Sequence, residues 1–159
     1  MNYFTSDLHL GHSNIIQYRD VFHNQEEHDE YILTKISELT KRDLLFVLGD
    51  FIFDSDNYQY YIDEISKMPV RIKLIMGNHD SKRLYKEERF EMQLPLFSYK
   101  NMWVSHCPIH PQELRGRKLN IHGHLHKERI PDNNYFNVNI DVNDYQFVPL
   151  DVIRESKGE

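Results

Sequence analysis

The sequence contains a single cysteine, which excludes an internal disulfide and fits a reducing compartment such as the cytoplasm. It has no apolar run near the ~20 residues that a transmembrane helix needs, and its first residues lack the charged-then-apolar pattern of a signal peptide. Glycine and proline are few, six of each, and they are scattered rather than gathered in a linker. These absences predict one globular domain without a membrane partner.

An excess of basic residues is also absent, because 25 acidic side chains outnumber 19 lysines and arginines and give a formal net charge of −6. Long duplex nucleic acid is therefore disfavoured as a partner, since its binding depends on many lysine and arginine contacts to phosphate. A small anionic substrate is still compatible with this negative net charge, because bound divalent cations would make the electrostatic field at the site positive. The composition suits a monomer and a homodimer equally.

Polar motifs rich in carboxylate, amide and imidazole groups recur along the chain, each directly after a short apolar run. A single motif of this kind is weak, because it also suits a turn or a helix N-cap, and the last one would also suit a single zinc site. Together they supply seven oxygen and nitrogen donors plus one further histidine, which is the inventory of a site for two divalent cations. The motifs are Asp7-Leu8-His9, Gly49-Asp50, Gly77-Asn78-His79-Asp80, Ser105-His106 and Gly123-His124-Leu125-His126.

The apolar pattern predicts an α/β fold, a single-domain sandwich of two mixed β-sheets flanked by helices. Amphipathic helices are predicted over 26–40 and 58–68, with a short polar helix near 81–88. The predicted domain covers residues 1–154, and the polar segment 155–159 is predicted to be a tail. We expect the donors to converge at one sheet edge, beyond the carboxyl ends of the strands. The predicted strands lie at 3–6, 44–48, 72–76, 102–104, 119–121, 136–140 and 147–150.

With these motifs, the chain resembles the calcineurin-like metallophosphoesterases from Asp7 to about Asp141. The start Thr5-Ser6-Asp7-Leu8-His9-Leu10-Gly11-His12-Ser13-Asn14-Ile15-Ile16 is similar to the small, uncapped bacterial and phage members. The resemblance implies a ligand set for each of two metals, with one carboxylate bridging both. Asp7, His9 and His126 would hold one metal, Asn78, His106 and His124 the other, and Asp50 would be the bridge.

The resemblance also implies a catalytic pair, in which His79 stays off the metals and faces the substrate while Asp80 orients its ring. Oxygen and imidazole donors suit manganese best, with iron, zinc, nickel, cobalt or magnesium as alternatives. The implied activity is a dinuclear-metal-dependent phosphohydrolase, foremost a phosphodiesterase on small phosphate esters or cyclic nucleotides. A phosphomonoesterase, a dinucleoside polyphosphate hydrolase and a non-catalytic binding scaffold are the alternatives. The residues after Gly49-Asp50 differ from the protein phosphatase branch, which disfavours a phosphoprotein substrate.

Several other side chains are open to a functional interpretation. His12 belongs to the starting motif and is a candidate substrate contact. Cys107 is predicted to be a small buried hydrophobe that points away from its neighbour His106. His28 is expected at the surface, together with His23 and His110. Three arginines are possible phosphate contacts, although a solvated surface position is the default for each: Arg19, Arg83 and Arg117.

Overall fold

The computed structural model describes residues 1–158, which fold into two β-sheets with three α-helices. Strand order is β4-β3-β2-β1-β9 in the first sheet and β5-β6-β7-β8 in the second. The α-helices are α1 (Gln25–Ser37), α2 (Tyr58–Ser66) and α3 (Leu150–Glu155). The strands are β1 (Asn2–Thr5), β2 (Leu44–Leu48), β3 (Arg71–Ile75), β4 (Glu91–Met92), β5 (Leu96–Tyr99), β6 (Met102–Ser105), β7 (Asn120–His122), β8 (Tyr135–Asn137) and β9 (Val148–Pro149).

Both sheets are mixed, as the sequence predicts. In the first sheet β1, β2, β3 and β4 are parallel and β9 pairs antiparallel with β1. In the second sheet β6, β7 and β8 are parallel and β5 is antiparallel to β6. Helix α1 connects β1 to β2 and helix α2 connects β2 to β3, so the carboxyl ends of these strands lie at one edge.

Two apolar clusters hold the layers together. One lies between the sheets, where the rings of Phe4 and Phe46 stack at 4.5 Å and Val104 and Ile121 pack from the second sheet. The other joins the opposite face of the first sheet to α1 and α2, and includes Ile32 and Ile65. The first sheet is therefore buried on both faces, which explains the continuous apolar runs of its central strands.

The C-terminal part differs from the sequence prediction. The strand predicted over 147–150 is only Val148–Pro149, and the chain then enters α3, whose Leu150 and Ile153 are buried between the sheets. The last residue of the predicted tail, Glu159, lies outside the described residues. No helix within residues 1–158 combines the length and the apolar character needed to cross a bilayer.

Candidate metal centre

The polar motifs converge at the carboxyl ends of strands from both sheets. Asp7, Asp50 and Asn78 follow β1, β2 and β3 of the first sheet, whereas His106 and His124 follow β6 and β7 of the second. The expectation of a single sheet edge was therefore wrong. The centre lies where the two sheets meet, because the parallel strands of both sheets end at the same side of the sandwich.

A first group of donors is formed by Asp7, His9 and His126, whose ligand atoms lie within 4.8 Å of one another. Asp7 Oδ1 is 4.0 Å from His9 Nε2 and 3.9 Å from His126 Nε2. The other oxygen of Asp7 accepts hydrogen bonds from the Ser6 hydroxyl at 2.5 Å and the His124 amide at 2.9 Å. These two donors leave Asp7 Oδ1 directed at the histidines.

A second group is formed by Asn78, His106 and His124. His106 Nε2 lies 3.0 Å from Asn78 Oδ1 and 3.3 Å from His124 Nδ1. The structure thus brings together side chains from five different loops, and their assignment as ligands of two metals stays a prediction.

Asp50 lies between the two groups. Its Oδ2 is 3.7 Å from His9 Nε2 of the first group and 3.6 Å from His106 Nε2 of the second. Its other oxygen accepts the backbone N–H of His79 at 2.9 Å. A single carboxylate oxygen of Asp50 therefore faces both donor groups.

The outer nitrogens of two histidines are held by acceptors. His106 Nδ1 donates to the Leu48 carbonyl at 2.6 Å, and His126 Nδ1 donates to Asp141 Oδ2 at 2.9 Å. Each hydrogen bond fixes the tautomer and directs the lone pair of Nε2 into the centre. The hydrogen bond to Asp141 and the nearby Asp7 carboxylate raise the pKa of His126 above its ordinary value, although burial lowers it.

Atoms without partners mark the interior of the centre. Asp7 Oδ1 and His9 Nε2 are buried, and neither has a hydrogen-bond partner within the described chain. Burial raises the pKa of the Asp7 carboxyl and lowers the pKa of His9 to about 2. Burying a carboxylate and a lone pair without partners is costly, and a divalent cation supplies the missing interaction. The residues present therefore fit a metal pair.

The backbone at the donors adopts an uncommon conformation. Positive φ angles occur at Asp7 (58°), His9 (52°), Asp50 (52°), His124 (69°) and His126 (42°). A left-handed conformation costs a non-glycine residue roughly 1–2 kcal/mol, and such residues cluster at functional sites. Sequence periodicity gives no signal for this feature, because Asp and His tolerate the conformation only where the surroundings impose it.

Glycine is required beside these donors. A Cβ atom on Gly123 would come within 2.6 Å of Asp7 Oδ2, and one on Gly77 would collide with the Asp50 side chain. The glycines of the motifs therefore allow the two sheets to bring their loops into contact.

The Asp80 carboxylate has different partners from those expected. Its Oδ2 accepts the amides of Asp50 at 2.9 Å and Gly77 at 2.8 Å, and its Oδ1 accepts those of Phe51 at 2.6 Å and Ile52 at 3.0 Å. A hydrogen bond to the His79 ring is not among its contacts in residues 1–158. Burial raises the pKa of Asp80 to about 6 although these backbone amides oppose the rise. The carboxylate joins the loops after β2 and β3 rather than orienting a ring.

His79 is exposed and lies outside the groups of clustered donor atoms among the described residues. Its ring centroid is 5.7 Å from that of His9 and 6.0 Å from that of His12. The ring of His12 also packs edge-on against Phe53 at 4.6 Å. The rings of His79, His12 and Phe53 thus lie next to one another beside His9.

Three expectations for other side chains were wrong. Cys107 is exposed, and its sulfur lies within 4.8 Å of donor atoms of His106 and His124. The chain turns at the end of β6, so the alternation of an extended strand no longer applies there. His28 is fully buried in α1, and Arg19 is fully buried rather than solvated. Sequence reasoning missed Arg19 because its partner Asp141 lies 122 positions away. His28 is buried with its ring nitrogens bonded to the Arg19 guanidinium and the Asp29 carboxylate.

Comparison with known proteins identifies the family of the chain. Residues 3–157 match the family model of the calcineurin-like phosphoesterases. The Gene 66 protein of Mycobacterium phage L5 is 28% identical in an alignment 162 residues long, which covers 80% of this chain and 78% of that protein. The DNA double-strand break repair protein Mre11 of Nanoarchaeum equitans is 31% identical in an alignment 112 residues long, which covers 62% of this chain and 28% of that protein.

Solved structures share the fold. A protein of unknown function from Aquifex aeolicus aligns over 98% of both chains with a TM-score of 0.77 and 28% identity. The Pseudomonas putida nuclease MPE aligns over 79% of this chain and 61% of its own, with a TM-score of 0.54 and 17% identity. An archaeal phosphodiesterase aligns over 87% of this chain and 81% of its own, with a TM-score of 0.50 and 18% identity.

Proposed function

The chain belongs to the calcineurin-like phosphoesterase family of metal-dependent hydrolases, and from this premise we propose that it is a phosphodiesterase with two metals, acting on small phosphate diesters. The observation that carries the proposal is the position of Asp50 Oδ2, which faces His9 Nε2 at 3.7 Å and His106 Nε2 at 3.6 Å. One oxygen that faces two donor groups is the arrangement needed for a bridge between two cations.

The proposed ligands are divided as the family resemblance implies. Asp7, His9 and His126 would hold one cation, Asn78, His106 and His124 would hold the other, and Asp50 would be the shared ligand. When bound, two divalent cations supply Lewis-acid stabilisation of the phosphoryl oxygens and a more acidic water for in-line attack. Because the donors are oxygen and imidazole nitrogen, manganese is our first choice of metal.

His79 is proposed to act on the leaving group. Its backbone N–H is fixed by Asp50 Oδ1 at 2.9 Å, so its ring is held beside the centre without belonging to it. A ring nitrogen of His79 can then donate a proton to the leaving oxygen as the ester bond breaks. His12, whose ring centroid lies 6.0 Å from that of His79, is proposed to contact the non-bridging oxygens of the same phosphate.

Charge and exposure support a diester as the substrate. A diester carries one negative charge and a second ester arm, and Asn78 and His79 are exposed. A monoester dianion would bind two cations more tightly in its ground state, and such binding does not accelerate the chemical step. The names of the archaeal phosphodiesterase and of the Pseudomonas nuclease, both acting on diesters, support the same choice.

The test is a paired assay of an aryl phosphodiester and the matching aryl phosphomonoester, with manganese, magnesium, nickel and zinc added in turn. We expect the diester to have the higher kcat/KM, and 2′,3′-cyclic nucleotides are the first natural candidates. A monoester efficiency tenfold above that of the diester would make a phosphomonoesterase the better description. Two bound metals without turnover of any ester would favour a binding scaffold instead.

A further inference from the structure

The buried side chain of Arg19 uses all five of its N–H groups. It lies between the 3-10 helix Ser13–Tyr18 and α1, and it is 0% exposed. A guanidinium has five donors in a fixed planar fork and no acceptor. The five N–H groups have partners on three segments of the chain, at Asp7 and Leu8, at His28 and at Asp141, and two of these segments contact or contain proposed ligands.

Two of the donors hold the loop that carries the first ligands. One terminal nitrogen donates to the Asp7 carbonyl at 2.5 Å and the other donates to the Leu8 carbonyl at 3.3 Å. Asp7 and His9 have left-handed backbone conformations, which are unfavourable without such support. Arg19 thus stabilises the turn that directs Asp7 Oδ1 and His9 Nε2 at each other.

Two further N–H groups of Arg19 support the proposed ligand His126 through the carboxylate of Asp141. Arg19 Nε donates to Asp141 Oδ1 at 2.8 Å, and a terminal nitrogen donates to Asp141 Oδ2 at 3.1 Å. Asp141 Oδ2 accepts the Nδ1 hydrogen of His126 at 2.9 Å. Asp141 is thus held by Arg19 on one side and holds the His126 ring on the other.

The fifth donor anchors the guanidinium to the helices. It contacts His28 Nε2 at 2.7 Å, and His28 Nδ1 is 2.7 Å from Asp29 Oδ1. Because arginine only donates, His28 Nε2 accepts and His28 Nδ1 donates to Asp29. Asp29 Oδ2 in turn accepts the Tyr61 hydroxyl of α2 at 2.6 Å. The arginine is thus fixed by α1 and α2 on the side away from the ligands.

Arg19 makes no hydrogen bond to Asn78, His106 or His124 within residues 1–158, and His106 is held by the Leu48 carbonyl instead. We propose that Arg19 is the positioning residue of one metal position only, the position formed by Asp7, His9 and His126. This inference rests on the proposed dinuclear centre, and it adds that different residues hold the ligands of the two metal positions in place.

The experiment compares metal binding by the full chain and by three variants, Arg19→Lys, Arg19→Met and Asp141→Asn. Lysine keeps the charge but has only three donors on a flexible stem, so it cannot serve both the loop and Asp141. We expect wild type to bind two manganese ions, and each variant to keep one at wild-type affinity. The other ion should bind roughly 10- to 100-fold more weakly, the usual effect of losing an outer-shell partner.

The readouts are manganese titration by calorimetry and the absorption spectrum of the cobalt-loaded protein, neither of which requires turnover. Arg89 provides a matched control, because it also donates to backbone carbonyls, those of Ile65, Met68 and Val70, away from the centre. Arg89→Met should lower the melting temperature while both metals bind as in wild type.

Equal weakening of both metal positions by the Arg19 variants, or no weakening, would overturn the inference. It would also fail if Arg89→Met weakened one metal to the same extent. If Arg19→Met does not fold, Arg19→Lys and Asp141→Asn decide the question, since both keep most of the buried polar contacts. A wild-type chain that binds fewer than two metals would instead reject the proposed dinuclear centre itself.

Discussion

At the scale of single residues, the centre buries two carboxylates whose oxygens face histidine nitrogens. Asp7 and Asp50 are both buried, and Asp50 Oδ2 faces nitrogen atoms of both donor groups. Because the proposed ligands and the exposed His79 are different side chains, their roles can be separated by substitution.

Asp50→Asn should remove most of the metal and most of the activity. The change deletes the charge shared by both cations and leaves them to repel each other across a short gap. We expect metal affinity to fall by at least the roughly 10- to 100-fold that the loss of an outer-shell partner causes. Metal content after desalting measures the effect, and two metals per chain with full turnover would contradict the bridging role.

His79→Ala should separate catalysis from metal binding. Both metals should remain, because His79 lies outside the donor groups of the described residues, while kcat should fall by roughly 10²–10⁴, the usual value of a general acid. Cys107→Ser is the comparison variant. The sulfur of Cys107 lies within 4.8 Å of donor atoms of His106 and His124 but is not in the proposed ligand set, so turnover and metal content should stay near those of wild type. Loss of one metal from His79→Ala would make His79 a ligand.

At the scale of elements, Asp80 connects the loops that follow β2 and β3. Each of its two oxygens accepts two backbone amides. Three of these amides belong to residues 50–52, which follow β2, and the fourth belongs to Gly77, which follows β3 and precedes Asn78. The spacing of the two neighbouring ligands therefore depends on one carboxylate that is not itself in either donor group.

Asp80→Asn should destabilise the fold, because an amide NH₂ would face buried N–H donors. Each donor left unsatisfied costs about 1–3 kcal/mol, and a chain of this size loses roughly 2–4 °C in melting temperature per kcal/mol. Thermal melting of the chelator-treated protein measures the effect. An unchanged melting temperature with reduced turnover would instead support the original expectation that Asp80 orients the His79 ring.

At the scale of the whole molecule, the donors tie together segments that are remote in sequence. Asp7 follows a strand of the first sheet, and its Oδ1 lies 3.9 Å from Nε2 of His126, in the loop after β7 of the second sheet. The backbone N–H of His124 in that loop donates to Asp7 Oδ2. The centre thus connects the first sheet to the second at one end of the sandwich. Metal binding is accordingly expected to stabilise the complete fold.

Removal of metal with a chelator should lower the melting temperature, and addition of manganese should restore it. Ions that bind only the folded state stabilise it by about 2.7 kcal/mol at a hundredfold excess over their dissociation constant. The Asp50→Asn variant should show a much smaller response to the same treatment. Identical melting curves for chelator-treated and manganese-loaded wild type would count against a centre that joins both sheets.

The sequence by itself determined the donor inventory and the layered α/β architecture. Apolar runs of strand length and amphipathic helices depend on local patterns, so the strand Leu44–Leu48 and the helices α1 and α2 were predicted within a few residues. The donor types were equally readable, because carboxylates and histidines that follow apolar strands are visible without knowledge of packing. The assignment of those residues as ligands stays a prediction that the metal titrations will test.

Only the tertiary structure decided which sheet supplies each donor, what Asp80 contacts and where Arg19 lies. These features depend on pairs such as Arg19 and Asp141, which are 122 positions apart and meet only when the sheets pack. The left-handed backbone at the donors belongs to the same class, because neighbouring loops impose it against local preference. A buried arginine and a surface arginine look alike in sequence, since burial of a charge is set by distant partners rather than by its neighbours in the chain.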